Sequence, residues 1–215
     1  KTPSFSVNQE RQIYKCFGCD AGGGTINFIM EMEQLEFIDA IKHLADRYKI
    51  ELNIDDIGGK SQDTRTQLIE LHEKTANIYA NNLTTDEGRK IQEHLKQRGL
   101  TSETITKFKL GYSLKKVDSL LKQIRSMEQK AEIMRQSGLF IDTERGYIDR
   151  FRGRIMFSIA DASNKTIAFA GRVFESDDPA KYVNSPETPL YNKSRILCGL
   201  HASKQVIRKK DHVIV

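Results

Sequence analysis

Asp149-Arg150-Phe151-Arg152-Gly153-Arg154-Ile155-Met156-Phe157 opens a stretch that continues through Ala170-Gly171-Arg172-Val173-Phe174 and Lys181-Tyr182-Val183-Asn184-Ser185-Pro186-Glu187-Thr188-Pro189-Leu190 to Asn192-Lys193-Ser194-Arg195-Ile196-Leu197-Cys198-Gly199-Leu200. Cationic side chains recur among short apolar runs and Gly, Pro and Asn turns. A basic tail dissolved in water would lack the apolar partners. Here each cation lies beside residues that can fold, so its position can be held. A rigid surface for phosphates needs that arrangement.

From Leu139 onward Ile141, Tyr147, Ile155, Phe157, Ile159, Ile167, Phe169 and Val173 recur at a period of two, which predicts strands. Asn164-Lys165 between two such runs predicts a hairpin turn. The same period in Arg150-x-Arg152-x-Arg154 puts three guanidiniums on one strand face, which suits bidentate contact to phosphate. The other reading is a surface ion-pair ladder with Asp142, Glu144 or Asp149. Lys181-Tyr182 ahead of Asn184-Ser185-Pro186 predicts a rigid turn. Its cation, aromatic face and amide match a phosphate, a base and a sugar; the plainer reading is a turn with a surface lysine. Residues 201–208 read as a helix and 212–215 as a strand.

Upstream the period is helical. Leu68, Leu71, Thr75 and Ile78 mark one helix. Thr84-Thr85-Asp86-Glu87 has the capping-box spacing and opens a helix with Ile91 and Leu95, which Gly99 ends. Residues 101–109 predict a short helix with Ile105 and Phe108 inward, and helices continue through Leu120, Leu121, Ile124 and Ile133. Residues 58–63 form a polar, glycine-containing linker. Before it, 5–7 and 12–15 read as short strands, Thr25 as the N-cap of a helix with Ile26, Ile29 and Met30, and Ile38, Ile41, Leu44 and Ala45 as the face of a second. Helices and strands segregated in this way are the α+β pattern.

The 215 residues carry a net charge of +5, with 38% hydrophobic residues and no Trp. Its distribution tells more than its size: 145–215 hold 13 Lys/Arg against 7 Asp/Glu, and the rest 21 against 22, so the surplus lies in the C-terminal third. That favours polyphosphate or nucleic-acid partners. No apolar run approaches the roughly 20 residues of a membrane helix. The chain starts at Lys1 and ends on His212-Val213-Ile214-Val215, and both ends read as cuts in a longer protein.

Three cysteines argue against a disulfide framework and for a reducing cytosol. Cys198, in an apolar setting, reads as buried filler. Cys16 and Cys19, on a knuckle with Gly18 between them, can supply half of a tetrahedral zinc site. A redox pair and two core cysteines are the alternatives.

Lys1-Thr2-Pro3-Ser4-Phe5-Ser6-Val7 followed by Tyr14-Lys15-Cys16-Phe17-Gly18-Cys19 resembles the zinc ribbon of bacterial DNA primases. Arg98-Gly99-Leu100-Thr101 with Phe108-x-Leu110-Gly111-Tyr112 resembles the helical entry to the family's RNA polymerase domain. The Asp149–Phe157 motif, Ala170-Gly171-Arg172-Val173, Lys181–Thr188 and Asn192-Lys193-Ser194-Arg195 follow in family order. Ser158 stands where a Pro is usual, and Ala168 and Ala170 where glycines are commoner.

The resemblance implies an α+β fold with four parts: a partial zinc ribbon over 1–56, a linker over 57–64, the N-terminal subdomain of the polymerase core over 65–211, and the first strand of a truncated Toprim domain over 212–215. It implies a DNA-directed RNA polymerase that makes short RNA primers on single-stranded DNA during replication. By resemblance, template and nucleotide contacts fall on Arg98, Arg150, Arg152, Arg172, Lys181, Tyr182, Asn184 and Lys193. Cys16 and Cys19 become ligands of a structural zinc whose other two ligands, a Cys-x-x-His pair, come earlier in the family. Magnesium or manganese serves the full-length enzyme through Toprim carboxylates beyond 215, so these residues alone are expected to be inactive. The implied partners are single-stranded DNA, ribonucleoside triphosphates and the replicative helicase, with no membrane and a cytoplasmic location. A non-catalytic zinc-ribbon nucleic-acid-binding module is the alternative.

Overall fold

The computed structural model describes residues 4–33, 35, 37–52, 59–126, 129–175 and 178–212. The chain divides into two units, Lys1–Gln62 and Asp63–Val215. Among the described residues no helix is long and apolar enough to cross a membrane.

In the first unit β1 (Phe5–Asn8), β2 (Ile13–Cys16) and β3 (Gly22–Gly24) form an antiparallel sheet in that order. Val7 pairs with Tyr14, and Tyr14 with Gly23. The two predicted strands form as expected, and the glycine run Gly22–Gly24 adds a third. Helices α1 (Thr25–Glu33) and α2 (Phe37–Tyr48) follow. Thr25 is the first residue of α1 rather than its cap. Phe5, Tyr14 and Phe28 form an aromatic triad with centroids 5.2–6.0 Å apart. Of α2 only Ala40 and Ala45 are buried, so its larger apolar residues stay half-exposed.

The second unit is built on α3 (Gly59–Asn82), whose stripe of Leu68, Leu71, Thr75 and Ile78 is buried as its spacing predicts. The part of the expected linker from Gly59 on is helical rather than irregular, while residues 57 and 58 lie outside the described residues. Next come α4 (Asp86–Gln97), α5 (Ser102–Lys107), β4 (Gly111–Ser113), α6 (Ser119–Arg125), α7 (Ala131–Gln136), β5 (Phe140–Thr143), β6 (Gly146–Asp149), β7 (Arg154–Ala160), β8 (Thr166–Val173), β9 (Tyr182–Asn184) and α8 (Leu200–Lys210). The main sheet is antiparallel in the order β4-β7-β8-β9, and β5-β6 is a separate hairpin. This is the expected α+β class. Asn164, at φ 63°, turns the β7–β8 hairpin. His212 is irregular, and the strand expected over 212–215 otherwise lies outside the described residues.

Two cores hold this unit. The larger joins α3, α6, α7 and the hairpin to the sheet through residues such as Leu71, Tyr79, Ile124, Leu139, Phe151 and Phe169. The smaller joins α4 and α5 to the sheet through Ile91, Leu95, Ile105, Tyr112 and Ile155. Phe108, expected inside, is 42% exposed, because α5 ends at Lys107 and the chain turns away. Thr85, not Thr84, caps α4: its Oγ1 accepts from Gly88 N at 3.2 Å. Glu87 is thereby freed from a capping box, and its Oε1 accepts from Tyr112 Oη at 2.7 Å and from Lys115 N at 3.1 Å.

Candidate nucleic-acid interface

Cross-strand partners in an antiparallel sheet share a face. Tyr112, Ile155, Arg172 and Tyr182 therefore stand in one row across β4, β7, β8 and β9. Phe157, Ala170 and Asn184 make the next row. The smaller core closes one end of this face, so Tyr112 and Ile155 are buried. It does not reach the other end, where Arg172, Tyr182 and Asn184 are exposed, Tyr182 by 61%. The Arg172 guanidinium carbon lies 5.6 Å from the centre of the Tyr182 ring. A cation, an aromatic face and an amide thus share one solvent-facing patch of sheet.

No turn forms over Asn184-Ser185-Pro186: 185 and 186 are irregular, and Asn184 belongs to the 182–184 segment. It is an edge strand, with Arg172 opposite Tyr182 and Ala170 opposite Asn184. Ser185 N donates to Phe169 O at 2.8 Å, and Phe169 N donates to Ser185 Oγ at 3.0 Å. Lys181, just ahead of the strand, is exposed and one ladder position out of row with Tyr182; its carbonyl accepts from Val173 N at 2.9 Å. Arg98 caps the C-terminal end of α4 and is exposed. One turn earlier His94 meets Phe174 edge-on at 5.2 Å, which brings that helix end to the end of β8. Lys193 is exposed on the loop after β9, where its N–H donates to Glu187 Oε1 at 3.1 Å.

The three arginines of the basic motif do not line one strand face. Only Arg154 belongs to a strand; 150–153 pass from β6 to β7 as an irregular connection. Arg150 is half-buried, with Nε donating to Gly138 O at 2.8 Å and Nη2 to Phe140 O at 3.4 Å, and burial lowers its basicity. Arg152 donates to Asp149 O. Arg154 is 3% exposed and pairs with Asp178. The ion-pair ladder with Asp142, Glu144 or Asp149 does not form either. These cations mainly satisfy carbonyls where the chain leaves regular pairing.

Asp149 is buried, and its carboxylate accepts from Leu120 N at 2.7 Å and Leu121 N at 2.9 Å, capping α6 from a distant part of the chain. Burial pushes its carboxyl up to about 6, against those two hydrogen bonds. Lys109 Nζ lies 2.7 Å from Glu73 Oε2 and 3.2 Å from Thr166 Oγ1, tying the α5–β4 connection to α3 and β8. Neither role is legible from spacing, because the partners are far away in sequence. Gly171 was open to detection: a glycine inside an apolar strand run often marks a close approach of other atoms.

Cys16 ends β2, and its N–H donates to Ala21 O at 2.7 Å. The amide N–H groups of Cys19 and Gly18 and the Ser4 hydroxyl, 3.7 Å away, point at its sulfur and hold the thiol down at about 7. A Cβ on Gly18 would stand 2.8 Å from Ser4 Oγ, so a side chain there would displace the Ser4 hydroxyl from its place beside the Cys16 sulfur. Two cysteines on such a knuckle, with Cys16 held toward its thiolate, fit half of a structural zinc site. Among the described residues no group of three or more His, Cys, Asp or Glu could hold a metal. Cys198 is exposed rather than buried filler, because it sits on the loop before α8 and not in either core.

Residues 78–204 match the family model described as the DNA primase catalytic core, N-terminal domain, and residues 1–60 match the CHC2 zinc finger. The chain is 39% identical to the DNA primase of Geobacillus stearothermophilus over 100% of its own length and 37% of that protein. It thus spans little more than a third of the length of that relative. The zinc-binding and RNA polymerase domains of the Aquifex aeolicus primase superpose with a TM-score of 0.61 at 29% identity, covering 98% of this chain and 50% of that one. A DnaG primase catalytic domain bound to single-stranded DNA gives 0.60 at 32% identity, covering 67% and 45%. The chain belongs to the bacterial DNA primases and joins a CHC2 zinc-finger unit to the N-terminal domain of the primase catalytic core.

Proposed function

We propose that these residues form the template-and-nucleotide face of a DNA-directed RNA polymerase that makes short RNA primers on single-stranded DNA during replication. The observation that carries this is the open row of Arg172 and Tyr182 beside Asn184. Family membership and the solved complex of a relative with single-stranded DNA support it. Arg172 and Lys181 hold phosphates, the Tyr182 ring stacks a base, and the Asn184 amide reads a sugar or base edge. Arg98 and Lys193 extend the cationic surface, and Arg150 and Arg152 contribute the parts of their guanidiniums that carbonyls leave free.

Cys16 and Cys19 supply two thiolates of a structural zinc that orders the first unit. Magnesium or manganese, held in the full-length enzyme by carboxylates other than these residues, would supply positive charge at the primer 3′-hydroxyl and the transferring phosphoryl group. In the resemblance those carboxylates belong to the Toprim subdomain and come after its first strand, over 212–215. The proposed partners are single-stranded DNA, ribonucleoside triphosphates and the replicative helicase, in the cytoplasm. The match to the catalytic core favours this over a non-catalytic zinc-ribbon module.

The test is direct. The 215 residues alone should bind a fluorescent oligothymidylate in low salt and make no RNA on a single-stranded template. A chain extended to the length of its relatives should make primers. Primer synthesis by the 215 residues alone, or no synthesis by the extended chain, would overturn the proposal.

A further inference from the structure

We infer that Arg154 is a positioning residue rather than a nucleic-acid ligand: its stem crosses β8 over Gly171 and its guanidinium holds the segment that leads into β9, setting Tyr182 and Asn184 against Arg172. The link to nucleic acid rests on the function proposed for that face; the anchoring itself does not.

Arg154 opens β7, and its side chain is 4% exposed. A buried guanidinium must find acceptors or it opposes folding. Its acceptors all lie in one short segment. Nη1 donates to Ala180 O at 2.8 Å and more weakly to Lys181 O at 3.5 Å, and Nη2 pairs with Asp178 Oδ2 at 2.5 Å. The other oxygen of Asp178 accepts from Ala180 N at 2.9 Å. One planar fork thus gathers two carbonyls and a carboxylate, which the point charge of a lysine would not reproduce.

β7 is not a neighbour of β9, because β8 lies between them. The side chain must pass over β8, and it does so at Gly171. A Cβ there would stand 3.0 Å from Arg154 Cδ, 3.1 Å from Phe151 Cδ1 and 3.2 Å from Met156 Sδ. Gly171 is not among the glycines with positive φ, so it is there for room and not for backbone freedom. Its ladder partner on the far side is Val183, the centre of β9.

β9 has three residues and, among the described residues, pairs on one edge only, with β8. So short an edge strand depends on its ends. Ser185 ties the far end to Phe169. Arg154 ties the near end. Three separate motifs, Arg154 of the basic stretch, Gly171 of β8 and Lys181–Asn184, become one device.

Amide hydrogen exchange in the free protein tests the anchor. In Arg154→Met, which keeps the stem and removes the fork, amides over 178–184 should exchange at least about tenfold faster, with those of α3 unchanged. Gly171→Ala keeps the charge but crowds the stem, and should act in the same direction. Binding to oligothymidylate adds a test of sign. Removing an anion from a DNA-binding face by Asp178→Asn tightens binding if only the field matters. Positioning predicts the reverse, weaker binding by about fivefold. Unchanged exchange in Gly171→Ala, or tighter binding by Asp178→Asn, would overturn the inference. If Arg154→Met does not fold, the other two variants still decide it. A wild-type chain that fails to bind oligothymidylate defeats the proposed function of the face, while exchange still decides the role of Arg154.

Discussion

Arg172 and Tyr182 are direct cross-strand partners, and the guanidinium of one lies 5.6 Å from the ring centre of the other. A guanidinium over an aromatic face keeps its rim donors free for a ligand while the ring limits its motion. The two side chains also divide the work: one carries charge and the other a stacking surface.

That division predicts different losses. Arg172→Ala should flatten the salt dependence of oligothymidylate binding by about 0.7 in the log–log slope, the value of one single-strand phosphate contact. Tyr182→Ala should weaken binding by about 1–3 kcal/mol and leave the slope alone, with Tyr182→Phe close to wild type. Anisotropy titrations at several salt concentrations separate the two.

His72 is fully buried and stacks on Phe169 at 5.8 Å with an interplanar angle of 7°. Its Nδ1 meets Leu68 O at 2.7 Å, and burial holds its pKa below the ordinary histidine value. The folded state therefore resists protonation that the unfolded state accepts. Stability should be full above about pH 6.5, the unfolded value, and fall as pH drops below it. His72→Phe should flatten the fall in Tm between pH 7 and 5.5. His201 is shifted in the same direction, while Asp149, pushed up to about 6, gains stability as pH falls, so the slope left after His72→Phe is the difference of those two.

Two glycines should fail for different reasons. A Cβ on Gly88 would stand 1.9 Å from Asn82 O, so Gly88→Ala drives α4 from the end of α3 and should cost about 3 kcal/mol. Gly99 has φ +86° and open space around it, so Gly99→Ala meets only backbone strain and should cost about 1 kcal/mol. Urea melts of the two variants give the comparison.

Glu73 accepts from Lys109 Nζ and, through Oε1, from the buried Thr166 N at 2.7 Å. Lys109→Met should cost under about 1 kcal/mol, since the pair is about a third exposed and screened. Glu73→Ala should cost about 2 kcal/mol, because Thr166 N–H is left buried without its acceptor. The difference between the two variants in denaturant melts checks which bond matters.

Several local signals are followed by the structure. The stripe from Leu68 to Ile78, the α4 helix ended by Gly99, and the hairpin at Asn164 form as their spacing predicts. The motifs that identify the family are equally local runs of residues. Misreadings arose where a side chain had a distant alternative partner. Glu87 left its capping box for Tyr112, and Asn184, expected to open a turn, ends a strand because β8 offered 182–184 a ladder.

By itself the sequence determined the α+β class, the helical and stranded halves, the cysteine pair on its knuckle and the clustering of positive charge. All of these depend on residues a few positions apart. Only tertiary structure decided which cations face water. Arg154 and Arg172 have the same side chain within neighbouring strand runs, yet one is buried among Asp178 and two carbonyls while the other lies open on Tyr182. The cause is the order of strands: β8 separates β7 from β9, Gly171 leaves a path across it, and the smaller core stops short of the β8–β9 edge. Burial depends on what packs from elsewhere in the chain, and spacing along a single strand carries no record of it.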